Sequence, residues 1–83
     1  TTTPPTYYYY SIRKYDCNNS CAVVSPELVG RSSTVLSTTS GDYYKLGSFT
    51  YQVQTEIDPP PMSFDINMDG LPSNNNCTTA CSL

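Results

Sequence analysis

The segment Tyr43-Tyr44-Lys45-Leu46-Gly47-Ser48-Phe49-Thr50-Tyr51-Gln52-Val53-Gln54 decides the fold class. Two runs rich in aromatic and β-branched residues flank a two-residue Gly-Ser step. A loop of that length with glycine first suits a type II′ turn, whose twist matches that of paired strands. The register then sets Leu46 against Phe49 and Tyr44 against Tyr51. Period-two alternation puts Phe49, Tyr51, Val53 and, further on, Ile57 on the core face, with Thr50, Gln52, Gln54 and Glu56 turned to water.

Upstream of the hairpin, residues 7–16 read YYYYSIRKYD, a β-type run with Tyr8, Tyr10 and Ile12 on one face and Tyr7, Tyr9 and Arg13 on the other. Tyrosines on both faces imply packing on two sides. Residues 18–20 mark a turn, 22–24 a short strand, Ser25-Pro26-Glu27-Leu28 a bend or a single helical turn, and 34–36 another strand. Downstream, Asp58-Pro59-Pro60-Pro61 lacks backbone donors at its prolines and ends the hairpin's second strand as a stiff connector. Phe64, Ile66 and Met68 then alternate with Asp65, Asn67 and Asp69 as a further half-buried strand, and residues 70–76 form a polar loop. No helical periodicity longer than about one turn is present. The expected fold is all-β: a small disulfide-stapled β-sandwich or partly open barrel formed by residues 7–83, preceded by an extended Thr/Pro-rich arm over residues 1–6. Its expected core is Tyr44, Leu46, Phe49, Tyr51, Val53, Phe64, Ile66 and Met68.

A chain of 83 residues buries only a little over half of the surface it exposes when unfolded, so a core alone stabilises it thinly. Eight tyrosines, two phenylalanines and no tryptophan make that core wet at its edges, and eleven threonines, eleven serines and 13% charged residues give the profile of an extracellular β domain. The net charge is −3, and the four basic residues Arg13, Lys14, Arg31 and Lys45 are scattered, so no electropositive stripe for nucleic acid exists. No apolar stretch approaches the roughly twenty residues of a membrane span. The chain opens at Thr1 without a charged segment and apolar run, and reads as a mature product or an excerpt of a longer precursor.

Cys17, Cys21, Cys77 and Cys81 form two C-x3-C pairs, one near each end of the folded region, and four cysteines permit three pairings. On an extended strand, two residues four apart stand about 13 Å from one another, beyond the ~7 Å limit for a bridge, so local pairing needs a helical turn or sharp bend. Pairing between the two ends is favoured, and an antiparallel arrangement would join Cys17 to Cys81 and Cys21 to Cys77. Closing loops of this size contributes about 4 kcal/mol. The competing reading is a four-thiolate zinc site, but zinc knuckles usually have two residues between cysteines and lie in basic intracellular chains.

The chain has no histidine, so hydroxyl and thiol nucleophiles lack their usual base, and the acids fall on loops and polar faces; catalysis is not expected, and neither is a cofactor. Asp65-Ile66-Asn67-Met68-Asp69-Gly70 matches the first half of a calcium loop through Asp65, Asn67 and Asp69, but Asn76 stands where a bidentate Glu belongs. Strand alternation ending in an Asp-Gly turn explains the same letters, and that reading is preferred to a metal site. Asn18-Asn19-Ser20 and Asn76-Cys77-Thr78 are N-glycosylation sequons, making Asn18 and Asn76 candidates for glycans. Thr1, Thr2, Thr3, Pro4, Pro5 and Thr6 make a Thr/Pro zone suited to O-glycans on an extended backbone, with a plain tether as the alternative.

Four motifs, in order, are Tyr9-Tyr10-Ser11-Ile12 leading to Cys17, then Ser25-Pro26-Glu27-Leu28-Val29, then Phe49-Thr50-Tyr51-Gln52-Val53, and a closing Cys77 or Cys81. This order resembles a group of short Tyr/Cys-rich β modules of phage virion fibre proteins and of surface or fibrous proteins of environmental bacteria. The paired cysteines at each end and the triple-proline connector depart from that pattern. The resemblance implies a fibre component with no catalytic residues.

The expected function is therefore a structural subunit or repeat module of an extracellular fibre, secreted or surface-attached and glycosylated. Its partners are copies of itself, contacted through the arm at Thr6 and the tyrosine strand at Tyr7 and Tyr9, by strand addition or by packing of tyrosines. The alternatives are a glycan- or cell-surface-binding adhesion module, and a secreted inhibitor or effector working through residues 37–42 or 58–61.

Overall fold

The computed structural model describes residues 6–83; the glycan candidates Thr1, Thr2, Thr3, Pro4 and Pro5 lie outside the described residues. The elements in chain order are β1 (Tyr8–Asp16), the 3-10 turn η1 (Cys17–Asn19), β2 (Ala22–Ser32), β3 (Tyr43–Leu46), β4 (Phe49–Glu56), β5 (Ile66–Asn67), β6 (Ser73–Asn74) and the single-turn helix α1 (Cys77–Cys81). All six strands join one sheet in the order β5-β2-β1-β4-β3-β6, curled into a half-barrel. Of the two expected architectures this is the partly open barrel.

The hairpin takes the expected form. Tyr44 opposes Tyr51 and Leu46 opposes Phe49, and Gly47 supplies φ +65° at the turn. β1 lies at the centre, antiparallel to β2 on one side and to β4 on the other. Its alternation places Tyr10 and Ile12, 1% and 0% exposed, against Tyr51, Val53 and Met68, which form the core, with Leu28, Leu36, Ile66 and Leu71 packed around it. Gly30 opposes Tyr10, and its missing side chain leaves room for Met68 to reach Ile12 across the strand. Leu36 from the connection between β2 and β3, and Met68 and Leu71 from that between β5 and β6, close over this concave face; Leu36 donates its N–H to the Tyr10 hydroxyl at 2.9 Å.

Several details differ from the sequence expectations. β2 does not bend at Pro26 but runs through it. The register steps from Ile12↔Leu28 to Lys14↔Val24, so β2 bulges there, and a proline without a donor is tolerated at a bulge on the sheet's outer side. Residues 34–36 form no strand: the Ser32 hydroxyl accepts from Thr34 N, and Asp69 accepts from Ser33 N and the hydroxyls of Ser32 and Ser33, turning the chain away. The run from Phe64 to Met68 shortens to β5, parallel to Gly30 and Arg31. The expected core loses Leu46, 42% exposed beside the hairpin turn, and Phe64, which stacks on Arg31 instead.

Thr50 is the clearest departure. Alternation turns it to water, yet it is fully buried, because α1 packs across this side of β3 and β4. Its hydroxyl lies 3.3 Å from Cys77 Sγ. The convex side of the sheet is thus open over β1 and covered at one corner.

Candidate functional site

That corner is built from the two C-x3-C pairs. A helical turn brings residues four apart onto one face, and α1 does this for Cys77 and Cys81. Asn76 caps it, its Oδ1 accepting from Thr79 N at 3.1 Å. The other pair flanks η1, capped by Asp16, whose Oδ1 accepts from Asn18 N at 2.9 Å. The turn is completed by Ser20 and Cys21 in left-handed conformations, φ 52° and 58°. Both pairs therefore present their sulfurs side by side, and the bridges run Cys17–Cys81 and Cys21–Cys77, spanning 64 and 56 residues. They tie the end of β1 to α1 and join the two ends of the domain. No described cysteine is free, and this chemistry suits an oxidising environment.

The convex face of β1 carries the other concentration of functional side chains. Tyr7, Tyr9, Arg13 and Tyr15 alternate along it, none of them buried. Tyr9 opposes Arg31. The Arg31 guanidinium is sandwiched between the Tyr7 ring at 4.2 Å and the Phe64 ring at 4.0 Å, and its Nε has no hydrogen-bond partner. Arg13 donates to Glu27 Oε2 from Nε at 3.3 Å and from NH2 at 3.1 Å. Tyr15 foremost and then the hydrogen-bonded Glu27 raise the Arg13 pKa further, so the guanidinium stays charged. Tyr15 also meets Tyr43 edge to face, ring centroids 5.2 Å apart, and donates its hydroxyl to Gln52 Oε1. Gln54 Nε2 donates to the same oxygen, and Gln52 Nε2 donates to Gly41 O. The result is a flat, half-exposed sheet face of aromatic rings and amides held in place by their own hydrogen bonds.

Backbone pairing limits how this face can be used. From Tyr10 to Asp16 β1 has a strand on both sides; at Tyr9 the strand partner is β2 alone, and on the other side Ile57 N donates to Tyr9 O at 2.8 Å just past the end of β4. Among the described residues, the long unpaired edge belongs to β2: β5 covers it only at Gly30 and Arg31, with Asp65 clasping Val29 just before. Residues 22–28 lie beyond that cover.

The calcium-like letters act as lacing. Asp65 Oδ2 accepts from Val29 N at 2.9 Å, Asn67 Oδ1 from Asp69 N at 3.1 Å, and Asp69 Oδ1 from Ser33 N at 2.8 Å. These bonds seat β5 on β2 and account for the three residues as an Asp-Gly turn, with Gly70 at φ +75°. The Ser33 N–H foremost, with the hydroxyls of Ser33 and Ser32, holds the Asp69 carboxyl below the usual carboxylate range. Both sequon asparagines, Asn18 and Asn76, are exposed, as is Thr6. Capping by Asn76 uses Oδ1 and leaves Nδ2, the atom that carries a glycan, outside that bond.

Alternation in YYYYSIRKYD already places Tyr7, Tyr9 and Arg13 together on the convex face. The sequence reading missed Tyr15, Tyr43, Gln52 and Arg31 as their neighbours, although the hairpin register contains the signal for Tyr43 and Gln52, which oppose each other. Among the described residues no enclosed pocket is found, and no helix is long and apolar enough to cross a membrane. Comparisons with protein-family models, curated proteins and solved structures return no match.

Proposed function

We propose that this chain is a structural subunit or repeat module of an extracellular fibre, and that copies contact one another through the tyrosine face of β1. The observation that carries the reading is the row of half-exposed Tyr7, Tyr9, Arg13 and Tyr15 along and just before the central strand β1, flanked by Arg31 of β2 and Tyr43 of β3. Tyrosine combines large contact area with few rotatable bonds, and both tyrosine and arginine are enriched where proteins bind each other. The bridges are consistent with an oxidising, extracellular setting. The order of motifs resembling fibre modules supports the same reading. From Tyr10 onward β1 is paired on both sides, so over that span the contact is packing of side chains, with the neighbour supplying a different surface. Such head-to-tail contacts propagate as an open filament unless rotation closes a ring.

Sedimentation and electron microscopy test this on the chain lacking residues 1–6 and carrying Tyr7→Ser and Tyr9→Ser. Assembly should be lost while the circular dichroism of the fold is kept; assembly like that of the unaltered chain refutes the interface. The second reading, a glycan-binding module, is favoured by the edge-to-face Tyr15–Tyr43 pair beside Gln52, a combination suited to a sugar ring. Glycan-array binding by the monomer, abolished by Tyr43→Ser, would select it.

A further inference from the structure

A tetrahedral four-thiolate zinc site has Zn–S bonds of about 2.3 Å, which puts its sulfurs about 3.8 Å apart. The sulfurs of Cys21 and Cys81, not bonded to each other, stand 3.8 Å apart. Those of Cys21, Cys77 and Cys81 all lie within 4.8 Å of one another, and Cys17 is attached to Cys81. One edge of a metal tetrahedron is therefore already set. The remaining edges open by rotation about Cα–Cβ bonds once the bridges are cut.

We propose that, with both bridges reduced, Cys17, Cys21, Cys77 and Cys81 bind one Zn2+ as a four-thiolate site, so that the same corner joins the ends of the domain covalently when oxidised and through a metal when reduced. A trialkylphosphine and water reduce each bridge to two thiols, the phosphine leaving as its oxide. Zn2+ then displaces the four thiol protons. Oxidation of the thiolates by a disulfide-forming oxidant restores the bridges and releases the ion.

Both turns keep anchors that do not depend on sulfur. Cys17 N donates to Ser48 O and Cys21 N to Asp16 O, each at 3.0 Å, holding η1. Ala80 is fully buried beneath α1, and Lys45 Nζ donates to Leu83 O at 2.8 Å just past it. The Thr50 hydroxyl, 3.3 Å from Cys77 Sγ and buried, stands where it can donate to a metal-bound thiolate, the outer contact that tunes such sites. This inference does not rest on the fibre reading.

The test uses the full chain, reduced by trialkylphosphine without oxygen and titrated with Co2+, whose visible d–d bands report tetrahedral geometry and whose charge-transfer band counts thiolates. One Co2+ per chain with four-thiolate intensity, displaced by Zn2+ and accompanied by the β circular dichroism of the oxidised protein, is expected. Thr50→Val should weaken binding about tenfold with the spectrum intact, Cys77→Ser with Cys81→Ser should abolish the four-thiolate spectrum, and Asp65→Asn with Asp69→Asn should leave it unchanged. Absence of binding, a six-coordinate or two-thiolate spectrum, or binding by a chain that stays unfolded would each overturn the proposal.

Discussion

A methyl group added at Gly30 probes the tightest surroundings of any glycine in the chain. An alanine Cβ there would meet Met68 Cγ at 3.0 Å and Ile12 Cγ2 and Cδ1 at 3.1 and 3.2 Å. Gly30 does not share the positive φ of Gly41, Gly47 and Gly70, so its backbone accepts alanine, and the stiffer unfolded chain alone would stabilise the protein by about 0.4–1 kcal/mol. Overpacking opposes this with about 1–3 kcal/mol. Neither neighbour yields easily: Ile12 is β-branched and fully buried, and Met68 is pinched at its Cγ, close to its backbone. Gly30→Ala should therefore destabilise by about 1 kcal/mol, lowering the melting temperature by about 4–8 °C with the bridges intact. Met68→Ala alone should cost about 2–5 kcal/mol for the cavity it leaves. In that background Gly30→Ala should become neutral or stabilising, because the new methyl enters the vacated space. The coupling in the double-mutant cycle, read by urea unfolding of the oxidised proteins, should exceed about 0.5 kcal/mol. An equal cost of Gly30→Ala in both backgrounds, or a gain in the unaltered protein, would refute this account of the core.

Thr50→Val keeps the volume but loses the hydroxyl facing Cys77, and should change oxidised stability by no more than about 1 kcal/mol. Thr50→Gln, which alternation alone would permit, should displace α1 and cost several times as much by thermal unfolding. Opening the Cys21–Cys77 bridge with a double serine replacement should cost about 2–3 kcal/mol in denaturant titrations, because the Cys17–Cys81 bridge already closes the long loop and the inner bridge adds a ring of only about ten residues, and unreduced peptide maps should show Cys17 linked to Cys81. The folded pKa of Asp69 is depressed, so its contribution is present above the unfolded carboxylate range and is lost as pH falls through the folded value. Asp69→Asn should flatten that acid limb of the stability curve. Burial raises the Tyr51 pKa, so stability should fall as pH rises past the ordinary tyrosine value, and Tyr51→Phe should reduce that loss.

What could be read from the letters follows the range of the physics involved. The hairpin register is local, set by a two-residue turn and alternation, and it stands residue for residue. The facing of Tyr10 and Ile12 is also local, because β1 carries no extra residue. Thr50 escaped because what covers it, α1, comes from 27 residues further along the chain and shows no helical periodicity in five residues. Phe64 escaped for a related reason: its alternation with Ile66 and Met68 is sound, but a cation stacked between two rings draws it from the core. Pro26 was legible as a break in pairing, not as a bulge that lets a strand continue. On the candidate face, Tyr7, Tyr9 and Arg13 were legible together, while Tyr43, Gln52 and Arg31 reach them only through neighbouring strands.

The position of β1 also sets the order of events during synthesis. Within this sheet the first strand to be translated lies in the middle, and its two neighbours, β2 and β4, are translated at quite different times. β1 and β2 can pair early as a long hairpin, but that hairpin shows β1's second edge and one apolar side to solvent until β4 arrives. Neither bridge can close before Cys77 and Cys81 have emerged. Until β4 emerges the nascent chain thus carries an open, tyrosine-rich strand edge, the condition under which neighbouring chains pair with one another prematurely. Removing residues 77–83 would open both bridges together while leaving β4 paired with β1.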